Sequence, residues 1–195
     1  MAQAQSQTFP TLIDAILPQA GTAVRVTEAL GMSLLIALSA QIVLPLPFTP
    51  VPLTGQTAAV LLAGALLGSR WGAASVMAYL LEGGAGLPFF AAASGGLHCF
   101  VGPTGGYLLA FPLAAFATGL LAERGWDRSF LRAAAMMCAG SFVILSIGSL
   151  GLARFVPAGK AFQLGFLPFV PGDILKIGVS ASALPLGWRL LGKRS

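Results

Sequence analysis

Charge is what this chain has least of. Of 195 residues, 9% are Asp, Glu, Lys or Arg, against about 25% in an ordinary soluble domain. Histidine occurs once, at His98, and cysteine twice, at Cys99 and Cys138. With no C-x-x-C pair and no Cys/His ligand spacing, no metal site in the protein is expected. The chain has no G-x-S-x-G, no H-E-x-x-H and no G-x-x-x-x-G-K-[ST]. Catalysis, and ATP hydrolysis by this chain, are therefore disfavoured, and no cofactor is expected. The formal net charge is +5, but the basic residues are scattered between apolar runs and form no stripe, which argues against a nucleic-acid partner. Met1 to Val24 hold no Lys or Arg. They lack the basic start of a secretory signal peptide, and the segment is expected to be retained.

What fills the chain instead is apolar. Hydrophobic residues make up 56% and the mean hydropathy is +0.87, so lipid is the expected solvent. Crossing a hydrocarbon core takes roughly 20 helical residues. Glycine (25) and proline (13) are abundant, as they are in membrane helices, where small residues permit close packing.

The pattern predicts an all-α integral membrane protein, a bundle of six transmembrane helices over residues 29–191. It is flanked by an N-terminal tail (1–28) and a short C-terminal tail (192–195). The first span is placed at Ala29 to Leu46, ended by Pro45 and Pro47. A second segment runs from Gln56 to Leu67 and a third from Trp71 to Leu81, separated by Gly68-Ser69-Arg70. Both are short for full spans, so part of the crossing is completed by irregular backbone that faces protein or a water-filled cavity. The fourth to sixth spans are placed at Tyr107 to Leu121, Ala133 to Leu152, and Pro171 to Leu191.

If both ends lie inside, the inner side collects Arg25, Arg70, Arg124, Arg128, Arg132, Arg189, Lys193 and Arg194. The outer loops then hold only Arg154 and Lys160, an asymmetry that the positive-inside rule supports. The remaining cation, Lys176, falls inside the sixth helix. Ionisable residues within spans are costly and mark sites or pathways. Asp173 and Lys176 lie three residues apart, on one helix face, and together suit a zwitterionic or carboxylate-bearing ligand. Helix capping accounts for Asp173 alone, since it follows Pro171-Gly172 near a helix start. It does not account for Lys176, which opposes the helix dipole.

Two loops add polar and aromatic groups. Pro47 to Gly55, stiffened by three prolines, delivers Thr54, Gln56 and Thr57 to the start of the second segment, either to hydrogen-bond a ligand or to cap the helix. Glu82 and the run from Gly86 to Gly96, with Phe89 and Phe90, offer a carboxylate and aromatic faces. Glu82 reads equally as a ligand group and as a membrane-surface residue. On the first span, Ala29, Ser33 and Ala37 form a small-residue stripe that suits close helix packing, within the bundle or against a partner.

Taken together, P-x-P-F-T-P-V-P-L-T-G-Q-T (45–57), LLAGALLG (61–68), YLLEGGAGLPFF (79–90), GPTGGYLLAF (102–111) and PGDILK (171–176) resemble the BioY family. These are the biotin-specific substrate-binding (S) components of energy-coupling factor transporters. The resemblance covers about Ala29 to Ala183. It implies a multi-pass subunit of the bacterial cytoplasmic membrane, surrounded by lipid, that captures biotin from outside. It also implies a transmembrane coupling protein and cytoplasmic ABC-type ATPases as partners, which use the ATP. By the resemblance, Asp173 accepts ureido N–H groups and Lys176 binds an anionic or carbonyl oxygen. Gln56 and Thr54 are loop contacts, Tyr79 and Phe90 flank the ring system, and the loop 47–55 closes over the pocket. Ala29, Ser33 and Ala37 become the face that docks on the coupling protein, with Ser33 standing where S components often show alanine. Ala91-Ala92-Ala93 brings no side-chain amide to the ureido group, leaving Glu82 or backbone groups to help. The competing reading is a stand-alone secondary transporter that moves ions through Asp173 and Lys176, although no half-to-half similarity of the kind inverted repeats leave is visible.

Overall fold

The computed structural model describes residues 10–192. Seven α-helices form it: α1 (Leu12–Ile16), α2 (Thr22–Ala40), α3 (Gln56–Gly84), α4 (Gly105–Glu123), α5 (Phe130–Leu152), α6 (Ala161–Gly165) and α7 (Val170–Leu190). Five stretches are long and apolar enough to cross a membrane: α2, α3, α4, α5, and α6 with α7 taken together.

The sixth crossing is hidden in α3, which reverses direction half-way. Gly68, with φ 82° and ψ −179°, breaks the helix, a conformation open to glycine and strained for any residue with a Cβ. The two arms, 56–67 and 69–84, then fold back on each other. A Cβ added at Gly72 would lie 2.6 Å from the Gly64 Cα, although a straight helix would hold those residues about 12 Å apart at 1.5 Å per residue. Glycine at both positions permits this backbone approach, the use of small residues expected in membrane bundles. The reversal also brings Gln56 and Tyr79, at opposite ends of α3, into hydrogen-bond contact. The break expected at Gly68-Ser69-Arg70 is therefore found, and both arms are short.

The first span differs from its expected limits. Helix α2 covers Thr22–Ala40 rather than Ala29 to Leu46. Residues 43–44 instead pair antiparallel with 53–54, Val43 opposite Thr54 and Leu44 opposite Leu53. The cause lies in Pro45 and Pro47: a residue preceding proline is driven from helical to extended backbone. The apolar run continues, but helix cannot. Nor is residue 28 the end of a tail. Leu12 and Ala15 of α1 are buried, and Leu12 packs beside Gly187 near the end of α7. Residues 1–9 and 193–195, including Lys193 and Arg194, lie outside the described residues.

Alternation of direction along the crossings sorts the connections to two ends. One end carries the starts of α2 and α5, the Gly68 turn, and the ends of α4 and α7, together with Arg25, Arg70, Arg124, Arg128, Arg132 and Arg189. The other carries the 41–55 hairpin, residues 85–104 and residues 153–169, with Arg154 and Lys160. The first end is closed by specific bonds. Glu123 Oε1 accepts from the backbone N–H and the hydroxyl of Ser69, at 2.7 and 2.8 Å. Trp188 Nε1 donates to Asp127 at 2.6 Å, and Arg25 pairs with both Asp14 and Glu28.

Candidate ligand-binding site

The opposite end contains a cavity of about 170 Å³, more than ten times the ~10–15 Å³ that a single water requires. Its floor is the first turn of α7. Asp173, buried, accepts from the Ser141 hydroxyl of α5 and from Lys176 Nζ at 3.3 Å. Lys176 Nζ also donates to Thr57 Oγ1 of α3 at 2.8 Å. The carboxylate is thus satisfied by side chains rather than by the backbone amides of α7, so the capping role is not the one it plays. Lys176 is the only cation lining the cavity among the described residues.

A second polar group stands beside this corner. Thr54 Oγ1 donates to Gln56 Oε1 at 3.2 Å. Gln56 Nε2 bonds the Tyr79 hydroxyl, and that hydroxyl in turn donates to the Phe89 carbonyl at 3.3 Å. Of these residues, Thr54 and Gln56 line the cavity. Tyr79, fully buried, does not: it holds Gln56 from behind and packs edge-on against Phe90, with ring centroids 5.5 Å apart. Of the two aromatics expected to flank a ligand ring, Phe90 lines the cavity, whereas Tyr79 stands behind it.

The remaining walls are apolar. Val51 and Pro52 come from the hairpin, Phe90 and Ala92 from the next loop, Leu108 and Phe111 from α4, Leu145 from α5, and Phe169 from the turn before α7. Tyr107 fixes one wall by donating to the Gly165 carbonyl at 2.6 Å while its ring leans on Phe169. Such a mostly apolar cavity with a few convergent polar groups is the usual form of a small-molecule site.

Residues 91–93, bland in side chains, are held from outside the cavity. Gln41, at the end of α2, donates to the Ala37, Pro88 and Phe90 carbonyls and accepts from Ala93 N–H at 2.9 Å. Ala92 and Ala93 both sit at φ 55°, a strained state for alanine that persists only when neighbours enforce it.

Glu82 stands outside the cavity wall. Its carboxylate accepts from the Ser33 hydroxyl at 2.9 Å and does not line the cavity. That bond also locates the small-residue stripe: Ala29, Ser33 and Ala37 are buried within the chain, while Leu30, Leu34, Leu35 and Leu38 on other faces of α2 are exposed. The structure turns the stripe inward, where small side chains let α2 approach α3. That face of α2 is covered by the chain itself. Ser141, Tyr107, Phe111 and Phe169 escaped the sequence reading. A hydroxyl or a phenyl inside an apolar run carries no signal until a partner helix faces it.

The BioY family model matches residues 13–193. The chain belongs to the BioY family. Similar relatives include the biotin transporter BioY of Thermotoga maritima, 43% identical over 70% of this chain and 80% of that protein. The biotin transporter BioY of Rhizobium etli is 36% identical over 87% of this chain and 97% of that protein. Among solved structures, the crystal structure of the S-component for biotin from an ECF-type ABC transporter aligns with a TM-score of 0.76 at 27% identity. The match covers 89% of this chain and 93% of that one. This BioY-family chain is accordingly a multi-pass membrane protein with the S-component fold.

Proposed function

We propose that this chain is the biotin-binding membrane subunit of an energy-coupling factor transporter, and that the cavity over α7 is its biotin site. The observation that carries the reading is the acceptor–donor pair at the cavity floor, Asp173 beside Lys176 at 3.3 Å. A ureido ring presents N–H donors next to a carbonyl acceptor, which matches a carboxylate next to an ammonium. A ligand carboxylate in the same corner would meet the charge of Asp173. The ureido group therefore goes to Asp173 and Lys176, with Gln56 and Thr57 at its edge. The apolar ring lies among Phe90, Phe111 and Phe169, and the valerate points to the mouth between the 41–55 and 85–104 loops.

In this reading the cavity opens to the outer side of the bacterial cytoplasmic membrane. The Arg-rich end and both termini are cytoplasmic, as the positive-inside rule favours. The chain performs no catalytic step and needs no cofactor. A coupling protein and ATPases supply the energy for inward release, and the exposed leucines of α2 are the part of that helix free to meet a partner.

Equilibrium binding to the purified protein in detergent tests the assignment. Biotin is expected to bind tightly, biotin amide to bind nearly as well, and a ligand lacking the ureido carbonyl to fail. If the amide binds far more weakly than biotin, the carboxylate occupies the Asp173–Lys176 corner and the orientation is reversed. If a well-folded chain binds no biotin, the assignment itself is lost.

A further inference from the structure

The Arg-rich end holds a second concave site, independent of the biotin reading. Between the end of α4 and the start of α5, Arg124, Gly125, Arg128, Ser129 and Arg132 line an open recess of about 410 Å³. Arg124 and Arg132 are exposed and make no ion pair among the described residues, in contrast to Arg25, which pairs with Asp14 and Glu28. Arg128 lies over the Trp188 ring at 4.6 Å, which fixes its position. The acidic groups of this end are turned elsewhere. Glu123 is bonded to Ser69, and Asp127 is fully buried and bonded to Trp188.

The placing of Arg132 is costly. It sits in the first turn of the 23-residue α5, whose N-cap, Ser129, makes no side-chain bond to the helix amides. A cation there opposes the positive end of the helix dipole. Topology alone requires basic residues somewhere on this connection. It does not require three of them to converge on one recess, one of them at a helix start. An anion in the recess would meet both arginines and offset the dipole. The neighbouring residues of α5, Phe130 and Leu131, are apolar and exposed at 50% and 79%, so the recess opens beside a surface suited to acyl chains. Basic pockets at the end of a membrane bundle next to apolar surface are suited to anionic lipid headgroups.

We infer that this recess binds the phosphate of an anionic phospholipid, with Arg124 and Arg132 as its ligands and the acyl chains lying along Phe130 and Leu131. The full chain, purified in neutral detergent, is titrated with phosphatidylglycerol or phosphatidylcholine, and retained lipid is counted by native mass spectrometry. Phosphatidylglycerol is expected to be retained and phosphatidylcholine to be lost. Combining Arg124→Gln with Arg132→Gln is expected to weaken retention on the order of tenfold. Arg154→Gln, at the far end, should change nothing. Circular dichroism confirms folding, and Arg132→Gln alone, expected to give part of the effect, serves if the double variant does not fold. Equal retention of the two lipids, or no effect of the arginine changes, overturns the inference. So does matching protection by inorganic phosphate or soluble glycerophosphate alone, which would assign a free-anion site. Loss of partner co-purification with unchanged lipid retention also overturns it, by assigning the recess to a protein.

Discussion

Each end of this bundle buries a carboxylate, and the two are answered differently. Asp127, at the Arg-rich end, is fully buried and held by the indole of Trp188, with α4, α5 and α7 packed around it. Asp173, at the other end, is met by Ser141 and Lys176 and faces a cavity. Both arrangements offset part of the cost of removing a charge from water. Only the second leaves polar atoms facing open space. A ligand can use what is aimed at a cavity, whereas Asp127 has spent its reach on closing the fold. The comparison explains why the two ends tolerate different backbone, since the closed end needs one tight reversal at Gly68 and the open end needs long loops tethered by Gln41.

Changes at the floor of the cavity should separate the ends most. Lys176→Met and Asp173→Asn are each expected to lower biotin affinity about a hundredfold, ~3 kcal/mol, because a buried charge loses its partner as the ligand loses a bond. Calorimetric titration reads the loss, and an unchanged affinity would remove these residues from the site. At the closed end, Gly68→Ala should leave affinity in the folded fraction intact but destabilise the protein by about 1–3 kcal/mol. Its φ is 82° and the new Cβ would lie 2.7 Å from a Glu123 carboxylate oxygen; thermal unfolding in detergent measures the effect.

Tyr79→Phe tests whether support counts as much as contact. Removing the hydroxyl frees Gln56 without touching the cavity wall, and a roughly fivefold loss of affinity, about 1 kcal/mol, is expected. Asp127 gives the closed end a pH signature. Burial raises its carboxyl to about 6 from the usual 3.8, against the opposing pull of the Trp188 bond and of Arg128. The folded state therefore holds a proton that the unfolded state releases between those values. The contribution to stability is fully present below pH 3.8 and is lost as pH rises to about 6. Asp127→Asn should flatten that part of the stability profile relative to the native chain. Smallest of all, Glu82→Gln should leave biotin affinity within about twofold, since its carboxylate serves Ser33; a larger loss would return Glu82 to the site.

Much of this was legible in the residues. Asp173 and Lys176 stood out because an ion pair at i, i+3 in an apolar helix has few other uses, and Gly68-Ser69-Arg70 marked the reversal by interrupting an apolar run. The error over α2 came from following hydropathy through Ile42 to Leu46 when Pro45 and Pro47 had already forbidden helix there. The pairing of Glu82 with Ser33 is not legible in the sequence, since nothing in their own segments shows that they face each other 49 residues apart.

The sequence by itself determined the solvent and the number of crossings and marked Asp173 and Lys176, which line the cavity, because these follow from local composition, from proline and glycine backbone limits, and from the cost of an ionisable group in lipid. Only the tertiary structure decided which side of α2 is covered, that Tyr79 stands behind Gln56 rather than in the cavity wall, and that Ser141 and Thr57 meet Asp173 and Lys176. Each of those depends on which faces of separate helices come together. In an apolar bundle that register is set by the close approach of small residues such as Gly64 and Gly72, whose positions along the chain do not reveal their partners.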